Sequence, residues 1–145
     1  YDLKPEMSAY QVTENLMEEL KTEEYRFVVV NFANPDMVGH TGNLNAAVQA
    51  VEVVDKCLGK IIDWVESHEA FAVVTADHGN CEMMQDAKGR PMTAHTLLPV
   101  PFVVVDPKRT DGTLRDQGSL CDIAPTLLAL WGIEKPTEMT GKSLV

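Results

Sequence analysis

Asp36 and His40 stand four residues apart inside the stretch Asn34-Pro-Asp-Met-Val-Gly-His-Thr-Gly42. On a helical turn that spacing puts both side chains on one face, about 6 Å apart at Cβ. A carboxylate and an imidazole so placed can hold one metal ion. A loop in which Asp36 caps a helix and His40 is incidental has the same spacing, so the pair needs company. A second stretch, Thr75-Ala-Asp-His-Gly-Asn80, supplies Asp77 and His78 at the end of an apolar run. A third, Thr93-Ala-His-Thr96, supplies His95 just before another. Three of the chain's four histidines thus sit at the ends of predicted core strands.

Asp36, His40, Asp77, His78 and His95 are therefore the candidate ligands, all nitrogen or oxygen donors. Asp77 and His78 are adjacent, and neighbouring side chains tend to point apart. Two neighbouring metal ions could share that pair more easily than one could take both. Two ions about 3.5–4 Å apart are a recurring device for phosphoryl transfer and hydrolysis. Such a pair needs more ligands than five side chains provide, and water, substrate or residues outside this chain must supply the rest. Imidazole with carboxylate suits manganese, zinc, iron or cobalt. Cys81 lies close by as a soft alternative ligand. A nucleophile is missing: Thr41 and Thr75 are ordinary loop and strand threonines, and there is no Gly-rich phosphate loop. Arg90, the nearest basic residue in sequence, reads as a solvated turn residue, and His68 as a surface residue at a helix end.

The 145 residues fit one domain with a real core. A formal charge of −10 argues against nucleic acid and anionic membranes as partners. No run approaches a membrane span and no signal peptide opens the chain. The chain opens on Tyr1 and reads as a piece of a longer protein. Cys57, Cys81 and Cys121 are scattered and odd in number, which fits a reducing, cytoplasmic setting.

The elements that must position these ligands follow from the hydrophobic pattern. Ser8 and Gln11 read as a capping box, followed by a helix whose face is Val12, Leu16 and Leu20. Glu18, Glu19, Glu23 and Glu24 form its solvated side. The Val-rich run from Arg26 to Phe32 predicts a strand buried on both faces. Pro35 disfavours the helical conformation at Asn34, so the chain should leave that strand extended. Asn43 caps a long helix with apolar positions from Leu44 to Val65, ending before Glu69. Ala70–Thr75 and Val100–Val105 predict two further strands. The polar stretch between Cys81 and His95 reads as a hairpin turning at Asp86–Pro91. Lys108–Gly118 is a loop. Asp122 caps a last helix, with Pro125 where no backbone N–H is needed, and Gly132 stops it. Strands alternating with helices predict an α/β/α sandwich with a mostly parallel sheet, and ligands outside the carboxyl ends of its strands.

Beyond these physical arguments, several stretches resemble one family. Tyr1-Asp-Leu-Lys-Pro-Glu-Met-Ser8, Asn34–Gly42, Thr75–Asn80, Thr93–Thr96, Leu98-Pro-Val-Pro101, Asp122-Ile-Ala-Pro-Thr-Leu127 and Glu138-Met-Thr-Gly-Lys-Ser-Leu144 look like the C-terminal part of cofactor-independent phosphoglycerate mutases. Asp-His-Gly and Asp-Ile-Ala-Pro-Thr are shared across the wider alkaline phosphatase superfamily, whereas Asp-Met-Val-Gly-His-Thr-Gly is far more specific. The resemblance implies a three-layer alkaline phosphatase-like domain of which residues 1–145 are the C-terminal portion. It implies interconversion of 3-phosphoglycerate and 2-phosphoglycerate through a phosphoserine enzyme in glycolysis and gluconeogenesis. It also implies two divalent ions, manganese first, with zinc, cobalt or magnesium as alternatives. Asp36, His40 and His95 would hold one ion, and Asp77 and His78 the other. The nucleophilic Ser, an Asp ligand, a lysine near the phosphate and an inserted glycerate-binding domain would lie outside these residues. That leaves this chain inactive alone; the resemblance also implies a full-length enzyme that is monomeric. Phosphopentomutase, a metal-dependent phosphatase, or a metal-binding module without catalysis are the alternatives.

Overall fold

The computed structural model describes residues 1–22, 24–109 and 112–145. Glu23, placed by its sequence on a solvated helix face, lies outside them, as do Thr110 and Asp111 of the predicted loop. The chain divides into two compact units, Tyr1–Asp106 and Pro107–Val145.

In the first unit, α1 (Ala9–Thr22) packs against α3 (Leu44–Ser67), and between them in sequence lies the six-residue α2 (Asn34–Gly39). The buried line of α1 is Ala9 and Thr13, not the predicted Val12, which is exposed. Thr13 satisfies its hydroxyl on the Ala9 carbonyl at 2.8 Å, so a polar side chain can be buried without cost in lost hydrogen bonds. As expected, Asn43 caps α3, its side chain accepting from the Ala46 N–H at 3.2 Å, and the helix ends before Glu69. The core is Val38 from α2 against Ala46, Ala47 and Ala50 of α3 and Met84. Small residues on α3 let α2 approach closely, which brings the Asp36–His40 turn down onto the body of the unit.

The expected extended exit at Asn34 does not occur. Ala33 caps α2, and Asn34 and Pro35 form its first turn. Asn34 is buried, and its amide donates to the carbonyls of Pro5 and Glu6 at 2.8 and 2.9 Å. Those two hydrogen bonds outweigh the steric bias that the following proline imposes. The predicted strand before it is also absent: residues 26–32 have no regular secondary structure, and Val29 is 77% exposed. Buried strands need covered faces, and among the described residues Phe27, Val28 and Val29 stay exposed.

Two strands pair, β1 (Ala72–Thr75) and β2 (Phe102–Val105), with Ala72 opposite Val105 and Thr75 opposite Phe102. They run antiparallel, which corrects the expected mostly parallel sheet. Parallel neighbours need a crossover, usually helical. The connection from 76 to 101 holds no helix and returns as a hairpin, so the second strand comes back the opposite way. Bridges at Gly79–Thr96 and Gln85–Pro91 mark the path of that hairpin, as the turn residues predicted.

In the second unit, a short 3₁₀ turn at Leu120–Asp122 leads into α4 (Ile123–Trp131), which Gly132 ends in a left-handed conformation. Asp122 precedes α4, yet its carboxylate does not cap that helix. It accepts from the N–H groups of Ser119 and Lys142 at 3.0 and 2.7 Å and pairs with Arg115 at 3.2 Å. The expected cap is thus a tie between the turn before α4 and the chain's last residues. Among the described residues, no helix is long and apolar enough to cross a membrane.

Candidate metal centre

The first turn of α2 carries Asp36, and His40 closes the same helix as its C-cap. The four-residue spacing therefore does what it predicts: His40 Nε2 lies 3.2 Å from Asp36 Oδ1. The end of β1 and the bend after it deliver His78, and the returning arm of the hairpin delivers His95. Their Nε2 atoms stand 3.9 and 3.1 Å from the same Asp36 oxygen. The His78 and His95 rings stack with centroids 3.7 Å apart, and His40 tilts against His95 at 4.9 Å. Asp36, His78 and His95 each offer one ligand atom, and these lie within 4.8 Å of one another.

Asp77 is more peripheral. Its side chain is 75% exposed and meets the cluster through His78 Nε2 at 3.5 Å. Adjacent residues were expected to point apart, but that alternation belongs to strands, and residues 77 and 78 lie in a bend.

The donor chemistry fits a cation. Thr93 O can only accept, so the 2.5 Å contact to His40 Nδ1 places the hydrogen there and leaves Nε2 with its lone pair facing inward. His40 Nε2 and His95 Nε2 are only 3.0 Å apart. Two nitrogen lone pairs at that distance repel unless a proton or metal cation lies between them. Burial pushes the Asp36 carboxyl up, but the Asn80 amide and, in their protonated forms, His40, His78 and His95 together hold it below the usual range. It is thus a carboxylate, the ligand form, across the ordinary pH range.

Sequence reasoning gave no role to Asn80, Glu82 or Thr96. Asn80 Nδ2 donates to Asp36 Oδ1 at 2.9 Å, while its own Oδ1 is buried without a hydrogen-bond partner. The amide cannot be turned round, because Oδ1 would then face a carboxylate. Gly39 leaves the room: a Cβ there would overlap Asn80 Oδ1. Glu82 accepts from the Asn80 N–H at 2.6 Å and from the Thr96 hydroxyl. Burial raises the Glu82 carboxyl, but Thr96, the backbone donors and His78 together pull it below the usual range. The sequence signal for these residues was only their closeness to ligand types; the Asn80–Asp36 contact spans 44 positions.

Cys81, the soft alternative, donates its thiol to the Pro35 carbonyl at 2.8 Å. Burial, followed by Glu82 and Asp36, pushes its pKa up and disfavours the thiolate that a metal requires. Arg90 is a turn residue as expected, paired with Asp86 at 2.6 Å. His68 caps the end of α3, its ring stacked on Trp64.

The sequence matches the family described as "Metalloenzyme: Metalloenzyme superfamily" over residues 1–135. The chain belongs to this superfamily. The superfamily assignment agrees with the donor set at Asp36, His78 and His95. Among relatives, the 2,3-bisphosphoglycerate-independent phosphoglycerate mutase of Clostridium acetobutylicum is 59% identical over 99% of this chain and 28% of its own length. The enzyme of the same description from Syntrophotalea carbinolica is 57% identical over 100% of this chain and 28% of its own. A solved structure of Leishmania mexicana phosphoglycerate mutase at low cobalt concentration superposes with a TM-score of 0.86 at 38% identity. That match covers 99% of this chain and 29% of the other. The chain thus spans little more than a quarter of the relatives it matches.

Proposed function

We propose that this superfamily member is the metal-holding portion of a cofactor-independent phosphoglycerate mutase, C-terminal within a phosphatase-like three-layer domain. The full-length protein interconverts 3-phosphoglycerate and 2-phosphoglycerate through a phosphoserine intermediate, as a cytoplasmic monomer. The carrying observation is the convergence of three imidazole nitrogens on one Asp36 oxygen, in a chain similar to such mutases from end to end.

Asp36, His40 and His95 hold one divalent ion, and Asp77 and His78 the other, with manganese first and zinc, cobalt or magnesium as alternatives. Bound there, the ions supply positive charge that polarises a phosphoryl oxygen and lowers the pKa of a coordinated hydroxyl. The chain's own residues do the holding. Thr93 O fixes the His40 tautomer, and Asn80 fixes the Asp36 carboxylate. By the resemblance to these mutases, the nucleophilic serine lies outside these 145 residues, in the part of the relatives that the chain does not span. One observation favours a second reading for the chain alone, a binding module for a single ion. Asp36, His78 and His95 already form one compact three-ligand group.

An enolase-coupled assay with 3-phosphoglycerate and excess manganese tests the proposal. The full-length protein should turn over and lose activity on Asp36→Ala, while the 145-residue chain alone should not turn over. Turnover by the isolated chain, free of host mutase and lost on Asp77→Ala, would show that the nucleophile is not elsewhere.

A further inference from the structure

Three separate segments bear the clustered ligands: α2 with Asp36, the bend after β1 with His78, and the hairpin's returning arm with His95. Each of these segments is short or irregular. α2 is six residues long, and the other two segments meet at a single isolated bridge, Gly79–Thr96, with Thr96 N donating to Gly79 O at 2.9 Å. A metal site needs its ligand atoms held to within about 0.5 Å. Some further contact must set the spacing.

We infer that Glu82 is a positioning residue, a carboxylate clamp that fixes the three ligand-bearing segments relative to one another. The inference rests on reading this cluster as a metal site. One Glu82 oxygen takes the Asn80 N–H at 2.6 Å. The other takes the hydroxyl of Thr96, the residue after His95. Glu82 therefore joins the His78 bend to the His95 arm beside the Gly79–Thr96 bridge. The third segment is reached through Asn80, whose backbone is held by Glu82 and whose side chain holds Asp36 Oδ1 at 2.9 Å. The clamp closes over Gly79, where a Cβ would overlap both the Glu82 carboxylate and the Thr96 hydroxyl. Glu82 does not ligate in this account: both of its oxygens are engaged by protein donors.

The clamp differs from a charge effect in what glutamine should do. A carboxamide can offer its oxygen to the Asn80 N–H and its NH₂ to the Thr96 hydroxyl, so it keeps both contacts without the charge. Calorimetric titration of the full-length protein with Mn²⁺ and with Zn²⁺, together with the amide proton resonance of ¹⁵N-labelled Asn80, reads the difference. Glu82→Ala should weaken metal binding at least about tenfold, the usual cost of losing an orienting contact. It should also move the Asn80 amide proton upfield. Glu82→Gln should retain most of the affinity, and Thr96→Val should reproduce part of the loss. Wild-type affinity in Glu82→Ala, or equal loss in the Ala and Gln variants, would overturn the clamp. Failure of the wild-type protein to bind either ion would instead sink the metal reading. The Asn80 resonance in Glu82→Ala would still decide whether the clamp exists.

Discussion

One oxygen of Asp36 faces three imidazole edges, and that asymmetry sets what each ligand is worth. His95 touches most of the cluster: Asp36 Oδ1 at 3.1 Å, His40 Nε2 at 3.0 Å and the stacked His78 ring. Asp77 touches it once, through His78, from an exposed position. The 145-residue chain should therefore show one tight manganese or zinc binding event by calorimetry. His95→Ala should abolish that event, while Asp77→Ala should leave it nearly intact. Equal loss in both variants would mean that the two residues serve the same ion. At this scale the sequence named all five candidates, because carboxylates and imidazoles at strand and helix ends are conspicuous. It missed Asn80 and Glu82 because amides and glutamates are common on surfaces, and only a contact across 44 positions marks the first as special.

Among the elements, α3 was legible because helical spacing over 24 residues and an Asn cap are local signals. The turn into α4 was legible only in outline. Asp122 sits where a cap should, but its carboxylate is spent on Lys142, Ser119 and Arg115. The Lys142 and Ser119 N–H groups hold its carboxyl below the usual range against the opposing effect of burial, with Arg115 adding to them. The sign follows from linkage: a carboxyl whose folded pKa is lowered stabilises the fold when ionised. That contribution is complete above the unfolded value, about 3.9, and is lost as pH falls through the lower, folded value. Urea titrations followed by tryptophan fluorescence should show the Pro107–Val145 unit less stable at pH 3 than at pH 6. Asp122→Asn should be destabilised at pH 6 and show a smaller difference between the two pH values. An unchanged pH dependence in the variant would place the acid sensitivity in another carboxylate.

For the molecule as a whole, the telling feature is apolar surface without cover. In the first unit, Phe27, Val28 and Val29 are exposed, Leu97 is fully exposed, and Leu44, Val48 and Val51 of α3 face solvent beside Met84. Exposed apolar patches of this kind mark docking or aggregation surfaces, and the chain spans only 28–29% of its relatives. The isolated 145-residue chain should bind the dye ANS and self-associate at micromolar concentration. Val29→Thr with Leu97→Gln should reduce both, as read by dye fluorescence and sedimentation velocity. A monomeric, dye-free chain would show that these side chains are covered in solution.

The sequence by itself determined the ligand types, the long helix, the turn residues and the resemblance to one enzyme family, since each is written in neighbouring residues. Tertiary structure decided the rest. Whether the run from Arg26 to Phe32 becomes a strand depends on partners that residue patterns do not name. Whether β1 and β2 pair parallel or antiparallel depends on the path of the chain between them, and a hairpin without a crossover helix reverses it. Which imidazoles reach Asp36 depends on small residues letting α2 settle on α3 and on Glu82 closing over Gly79. These are contacts between residues far apart in sequence, and a local pattern specifies only which surfaces are available to make them.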